Sequence, residues 1–180
     1  SKYWLFGKTS THWTTYGGMI ALKQIEAEMA KQLNKKMPDW NVSGYQVKGP
    51  NDFDSDIEET MNLLFDMGGE NYAYPKYSFP TNIDSVWKPK VVVISDSFWW
   101  AVNNTYVPLK TWSKDSKFLY YFNTCSFFDG SPSKPVKDVD IVSELQTADV
   151  VFMLVGSENM NEFPYHFTDF IIENEQDFKN

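Results

Sequence analysis

Apolar residues along this chain alternate between unbroken runs and helical spacing. Val91-Val92-Val93-Ile94 is a β-branched run that stops abruptly at Ser95-Asp96-Ser97. Such a run suits a strand buried on both faces, as in a parallel sheet. Asp149–Val155 repeats the pattern, and Lys117–Asn123 reads as another strand through Phe118, Leu119, Tyr120, Tyr121 and Phe122. Val42–Lys48 alternates in strand fashion and is closed by Gly49-Pro50-Asn51-Asp52. Helical spacing runs from about Met19 to Met37, with Ile20, Ile25, Met29 and Leu33 on one face and Lys23, Glu26, Lys31 and Lys35 away from it. Thr14-Thr15-Tyr16-Gly17-Gly18 precedes that helix as a polar hinge with capping hydroxyls, and Pro38 is expected to end it.

A second, shorter helix is predicted to open on Asp54-Ser55-Asp56, Glu58 and Glu59 and to carry Ile57, Met61, Leu64 and Phe65. Acidic residues in a first turn suit the helix dipole, so they read as caps and not as a metal site. Phe98–Val102 is expected to form a helical turn or short helix, and Phe167–Phe178 an amphipathic C-terminal helix. Gly68–Lys90 is rich in aromatics and proline, has neither period, and is predicted to be a long loop. This succession of helices and strands predicts one α/β domain, a sandwich with a mainly parallel sheet.

Composition narrows the function classes. The chain has 180 residues, 42% hydrophobic and 22% charged, which marks a globular domain. Its longest apolar run is far shorter than the ~18 residues that span a bilayer. A net charge of −8 argues against nucleic-acid binding, which calls for a basic footprint. Lys23, Lys31, Lys35 and Lys36 read as the solvated face of the long helix. The single cysteine, Cys125, excludes an internal disulfide and sits in apolar context as a small buried hydrophobe.

The candidate chemistry lies in two segments. Ser97 follows a buried strand and precedes a helix, where ligands collect in open α/β sheets and where main-chain N–H groups can hold an oxyanion. The other reading is a strand-terminating cap. A serine hydroxyl needs a base within hydrogen-bond reach, and the chain has two histidines. His166, among Phe163, Pro164, Tyr165 and Phe167, reads as a packing or surface residue. His12, in Thr9-Ser10-Thr11-His12-Trp13-Thr14, lies just before a helix N-terminus, whose dipole disfavours the imidazolium. A base role there calls for a compensating carboxylate.

Ser10-Thr11-His12-Trp13 and, later, Ser95-Asp96-Ser97-Phe98 resemble the two motifs of the SGNH-type polysaccharide O-acetyltransferases of the alginate-acetylating kind. That family carries Asp-x-His-Trp early and Gly-Asp-Ser-Phe late, the reverse of the order in ordinary SGNH esterases. Asp149–Val155 running into Glu158-Asn159-Met160 is similar to the strand and loop near the end of the family domain. The resemblance implies an SGNH-hydrolase-like three-layer α/β/α sandwich. It implies that Ser97 takes an acetyl group, that His12 moves the protons, and that Ser10 orients His12 in place of the family's aspartate. Asp96, Asp149 and Glu158 are candidate replacement acids. The glycine expected before the Asp-Ser pair is Ser95 here.

By their position flanking the two segments, Trp13, Trp99 and Trp100 are candidate sugar-facing rings, and Asn159 is a further candidate donor at the site. The implied partners are a polysaccharide acceptor and a membrane acyl-carrier protein that delivers acetyl groups. No metal or dissociable cofactor is required, and the implied location is extracytoplasmic, in the periplasm or at the cell surface. An upstream signal or anchor and a first strand are expected to be missing ahead of Ser1. Two other readings stand beside this one. The chain is then a carbohydrate-binding relative with a silenced site, to which its seven tryptophans and ten tyrosines give many flat faces, or a cytosolic hydrolase of small esters.

Overall fold

The computed structural model describes residues 1–61 and 70–179. Leu64 and Phe65 of the second predicted helix, and Gly68 at the head of the predicted loop, lie outside the described residues. The chain forms two compact units, Ser1–Val86 with Trp100–Pro108, and Trp87–Trp99 with Leu109–Asn180. Among the described residues no helix is long and apolar enough to cross a membrane.

The first unit is built on helix α1, Thr15–Leu33. Thr14 caps it by accepting the Gly17 N–H at 3.0 Å, so the helix starts four residues earlier than its apolar spacing predicts. Gly17 and Gly18 are therefore not a hinge. A Cβ on Gly17 would lie 2.2 Å from the Leu5 carbonyl oxygen, and one on Gly18 2.4 Å from that of Ala101. The first helical turn thus rests directly on two stretches of backbone. Asn34 ends the helix in the left-handed region (φ 49°), well before Pro38, and returns its N–H to the last turn.

Strand β1, Asn41–Lys48, pairs antiparallel with β2, Tyr72–Ser78, in a two-stranded sheet. The predicted loop thus contains a strand. Its proline, Pro75, stands opposite Tyr45, which a two-stranded ribbon tolerates because each strand keeps a free edge. Tyr16, Met19 and Ala73 are buried together, with Leu5, Ile20, Trp40, Val42 and Tyr77 packed around them. Between the strands, a 3-10 turn at Asp52–Asp54 leads into α2, Asp56–Met61.

The second unit holds a five-stranded sheet in the order β6-β5-β4-β3-β7. Its strands are β3 (Val91–Ser95), β4 (Lys117–Tyr120), β5 (Thr124–Phe127), β6 (Lys134–Pro135) and β7 (Val150–Leu154). Every residue of β3 is fully buried. Val92 and Ile94 pack with Leu119, Cys125 and Ile141. Trp99 stacks on Trp112 and meets Phe118 and Phe152. The remaining helices are α3 (Phe98–Asn103), α4 (Pro108–Thr111), α5 (Ile141–Gln146) and α6 (Phe167–Glu173).

This architecture corrects the expected three-layer α/β/α sandwich with a mainly parallel sheet, whether read from the element succession or from the SGNH resemblance. The structure is a small α+β fold with a mixed sheet and a separate antiparallel pair. Among the described residues only the β3–β4 and β3–β7 pairings are parallel, and β4–β5 and β5–β6 are antiparallel. The cause is local. Tyr121 and Phe122 take left-handed backbone (φ 48° and 49°) and turn the chain back within three residues. A parallel return needs a crossover of a dozen residues or more.

The close approach at Gly18 has a measurable cost if it is filled. Gly18→Ala gains helix propensity but drives a methyl group into the Ala101 backbone, and such overpacking costs about 1–3 kcal/mol. Urea denaturation should show a lowered midpoint at unchanged slope, and a stabilised variant would contradict the packing described.

Candidate functional site

His12 stands at the base of a closed loop. Phe6 and Trp13 pair as an antiparallel bridge, and the six residues between them fold over the segment that leads into α2. Gly7 is required there because a Cβ would lie 2.5 Å from the Asp54 carbonyl oxygen. Ser10 Oγ donates to the Phe53 carbonyl at 2.7 Å and accepts the His12 N–H at 2.9 Å. The Ile57 N–H donates to the Thr9 carbonyl at 3.0 Å, and Thr9 Oγ1 donates to Glu58 at 3.2 Å. Ser10 therefore builds the turn with its hydroxyl. Both bonds go to main-chain atoms, not to the imidazole it was expected to orient.

The carboxylate on the ring comes from Asp56, whose Oδ2 lies 2.7 Å from His12 Nδ1. Thr11 binds the same carboxylate twice, by its N–H to Oδ1 at 3.2 Å and by its hydroxyl to Oδ2 at 3.3 Å. The Ile57 N–H holds Oδ1 at 3.0 Å. The His12 side chain is 13% exposed, and the Phe53 ring stands edge-on to it, 6.1 Å between centroids. A carboxylate only accepts, so in neutral imidazole Nδ1 carries the proton and Nε2 keeps its lone pair. That is the tautomer a general base requires.

Asp56 was missed because the acidic cluster Asp54-Ser55-Asp56 also suits a helix start, and Asp56 is in fact the first residue of α2. The available signal was the demand itself, since a histidine ahead of a long helix needs a carboxylate. The three acids proposed from location have other partners or positions. Asp149 accepts the Lys90 N–H at 2.7 Å, Glu158 lies exposed in a 3-10 turn, and Asp96 is bonded within its own unit.

Ser97 is partly exposed, between β3 and α3. Its neighbour Asp96 is fully buried and organises the surrounding loops. Asp96 Oδ1 accepts the Phe98 N–H at 2.9 Å. Its Oδ2 accepts from the Gly156 N–H (2.6 Å), Asn159 Nδ2 (3.0 Å) and Tyr165 Oη (3.2 Å). The Asn159 amide also reaches Tyr121 Oη at 3.4 Å. Asn159 thus braces Asp96, and of the main-chain N–H groups near Ser97 that of Phe98 is engaged by the same carboxylate.

Of the candidate sugar-facing rings, Trp13 and Trp100 are half-buried. Trp99 has no exposed surface and belongs to the core, so it cannot present a face to a sugar. His166 is a surface residue beside Asp169 at 3.3 Å. Among the described residues no cluster of three His, Cys, Asp or Glu side chains could hold a metal ion.

Beneath the histidine turn, Asp54 is buried with one satisfied oxygen. Tyr74 Oη donates to its Oδ2, the Asn51 N–H donates to the same atom at 3.1 Å, and Oδ1 has no partner among the described residues. Burial raises the Asp54 pKa above the ordinary carboxylate value despite the two donors. A raised folded-state pKa contributes stability that is complete below the unfolded value of about 3.9 and is lost as pH rises through the folded value. Asp54→Asn removes that dependence. In urea unfolding followed from pH 3 to 8, the stability of wild type relative to the variant should fall with rising pH and then level. A constant difference would contradict the burial argument.

No protein-family model matches this chain, nor does any curated protein or solved structure.

Proposed function

We propose that this chain is a serine-dependent acyl-transfer catalyst of the SGNH O-acetyltransferase kind, acting on the hydroxyls of an extracytoplasmic polysaccharide. One observation carries the reading, the Asp56 carboxylate 2.7 Å from His12 Nδ1. It supplies the acid that the chain lacks at Ser10, and it favours a working histidine over a silenced, purely carbohydrate-binding relative.

In this reading Ser97 Oγ attacks the carbonyl carbon of an acyl donor while His12 Nε2 takes the hydroxyl proton. Asp56 stabilises the imidazolium that forms. The proton then passes to the leaving group, and the acyl group stays on Ser97 as an ester. An acceptor hydroxyl repeats the sequence in reverse, giving its proton to His12, attacking the ester carbon and regenerating Ser97. With water as the acceptor the same steps amount to hydrolysis. A membrane acyl-carrier protein is the proposed source of acetyl groups, and no metal or cofactor takes part.

Intact-mass spectrometry after incubation with an activated acetyl ester tests the proposal. Wild type should gain one acetyl group, mapped to Ser97, and Ser97→Ala should gain none there. An equal adduct on both proteins would end the nucleophile assignment. Asp56→Asn should lower ester turnover by up to about 10⁴-fold, the scale seen when an orienting aspartate is neutralised in a serine triad. Ser10→Ala should cost far less beyond its effect on folding. The reverse ranking would return the orienting role to Ser10.

A further inference from the structure

The segment from Lys2 to Lys8 alternates in exposure with a period of two. Lys2, Trp4, Phe6 and Lys8 are exposed, while Tyr3, Leu5 and Gly7 turn inward. Trp4 and Phe6 are 55% and 48% exposed, a large apolar surface to leave in water when the alternate residues are packed. The inward residues show why the segment stays in place. Tyr3 meets the rings of Tyr16 and Tyr45, and Leu5 packs beside the Tyr16–Met19–Ala73 core.

The backbone is pinned as well. Thr14 Oγ1 donates to the Trp4 carbonyl at 2.8 Å, the Thr14 N–H to the Leu5 carbonyl at 2.9 Å, and the Lys8 N–H to Tyr72 Oη at 2.9 Å. The two exposed rings are thus carried on a pinned segment whose backbone bends at Leu5, between them. That segment lines an open cavity of about 720 Å³ together with Asn71, within the range of ligand sites. Its far end runs into the histidine loop through the Phe6–Trp13 bridge.

We infer that this segment is a binding site for a linear glycan. The C–H face of a pyranose ring is apolar and covers an aromatic face with little loss of entropy, because the ring is already fixed. Successive sugars therefore stack on Trp4 and Phe6. Lys2, Lys8 and Asn71 supply N–H donors around the rings for the oxygens that every sugar carries, whether hydroxyl or carboxylate. The pair Lys8–Glu70, 3.3 Å and exposed, is a weak one that a ligand oxygen can replace. The inference rests on the proposed acyl transfer only for calling that glycan the acceptor.

Direct binding requires no acyl chemistry, so its failure is separable from failure of the serine mechanism. Titration calorimetry would use the full chain with two probes, neutral cello-oligosaccharides and oligogalacturonates, at low and high salt. At least one probe should bind wild type, and Trp4→Ala and Phe6→Ala should each weaken it about tenfold or more. Trp4→Phe, which keeps a ring, should retain most of the affinity, and matched thermal melts exclude misfolding. Loss of oligogalacturonate binding in Lys2→Gln/Lys8→Gln and in high salt would assign the oxygens to carboxylates, and salt-insensitive binding of the neutral probe would assign them to hydroxyls. Binding of neither probe, binding unchanged in Trp4→Ala, or Trp4-dependent cosedimentation with phosphatidylcholine–phosphatidylglycerol vesicles in place of glycan binding would overturn the inference.

Discussion

A carboxylate taken out of water must be given donors, and each unit of this protein is arranged around one such demand. In the second unit Asp96, fully buried at the end of β3, draws in the Phe98 and Gly156 N–H groups, the Asn159 amide and the Tyr165 hydroxyl. Four donors from three segments fix the turn that presents Ser97. Gly156 is needed for this, since a Cβ there would fall 2.6 Å from the Phe98 ring. Removing Asp96 would leave those donors buried and unmatched, so its role is structural before it is chemical.

The first unit meets the same demand less completely. Asp54 receives donors on one oxygen only, and burial shifts its pKa upward. Two residues on, Asp56 is half-exposed and receives the Thr11 N–H, the Thr11 hydroxyl, the Ile57 N–H and the His12 ring. One short segment thus carries a carboxylate that anchors it to Tyr74 and another that serves the histidine. Because both lie in one short segment, the Asp54 bonds also tie down the backbone that carries Asp56.

Much of the second unit was legible from the chain. The Val91–Ile94 run gave β3, because burial on both faces and β-branching leave a strong local mark. Asp149–Val155 gave β7, although it was expected to be buried and is instead an edge strand that alternates between half-buried and exposed residues. Sheet direction left no such mark. It depends on left-handed backbone at Tyr121 and Phe122, residues whose side chains give no warning of it. The strand Tyr72–Ser78 was hidden by its proline and by a burial pattern that does not alternate cleanly. The long helix was legible in its apolar face but not at its ends. Its start depends on Thr14 and on two glycines packed against distant backbone, and its end on a left-handed asparagine.

The candidate residues divide in the same way. His12 and Ser97 stand out because each sits in a local motif, whereas Asp56 lies 44 residues from the histidine it contacts and reads locally as a helix cap. A histidine requires of its acid only an oxygen at Nδ1 and a rigid support, and nothing in that requirement favours a residue two places upstream. Once Asp56 meets it, the upstream position is released for a different task. Ser10 then ties the His12 main chain to Phe53, joining the turn to the segment that holds the acid. An aspartate at that position could accept the His12 N–H but has no hydroxyl to give the Phe53 carbonyl, and it would set a second negative charge beside Asp56. Serine at position 10 is therefore what this turn requires, while the carboxylate on the His12 ring comes from the segment the turn is tied to.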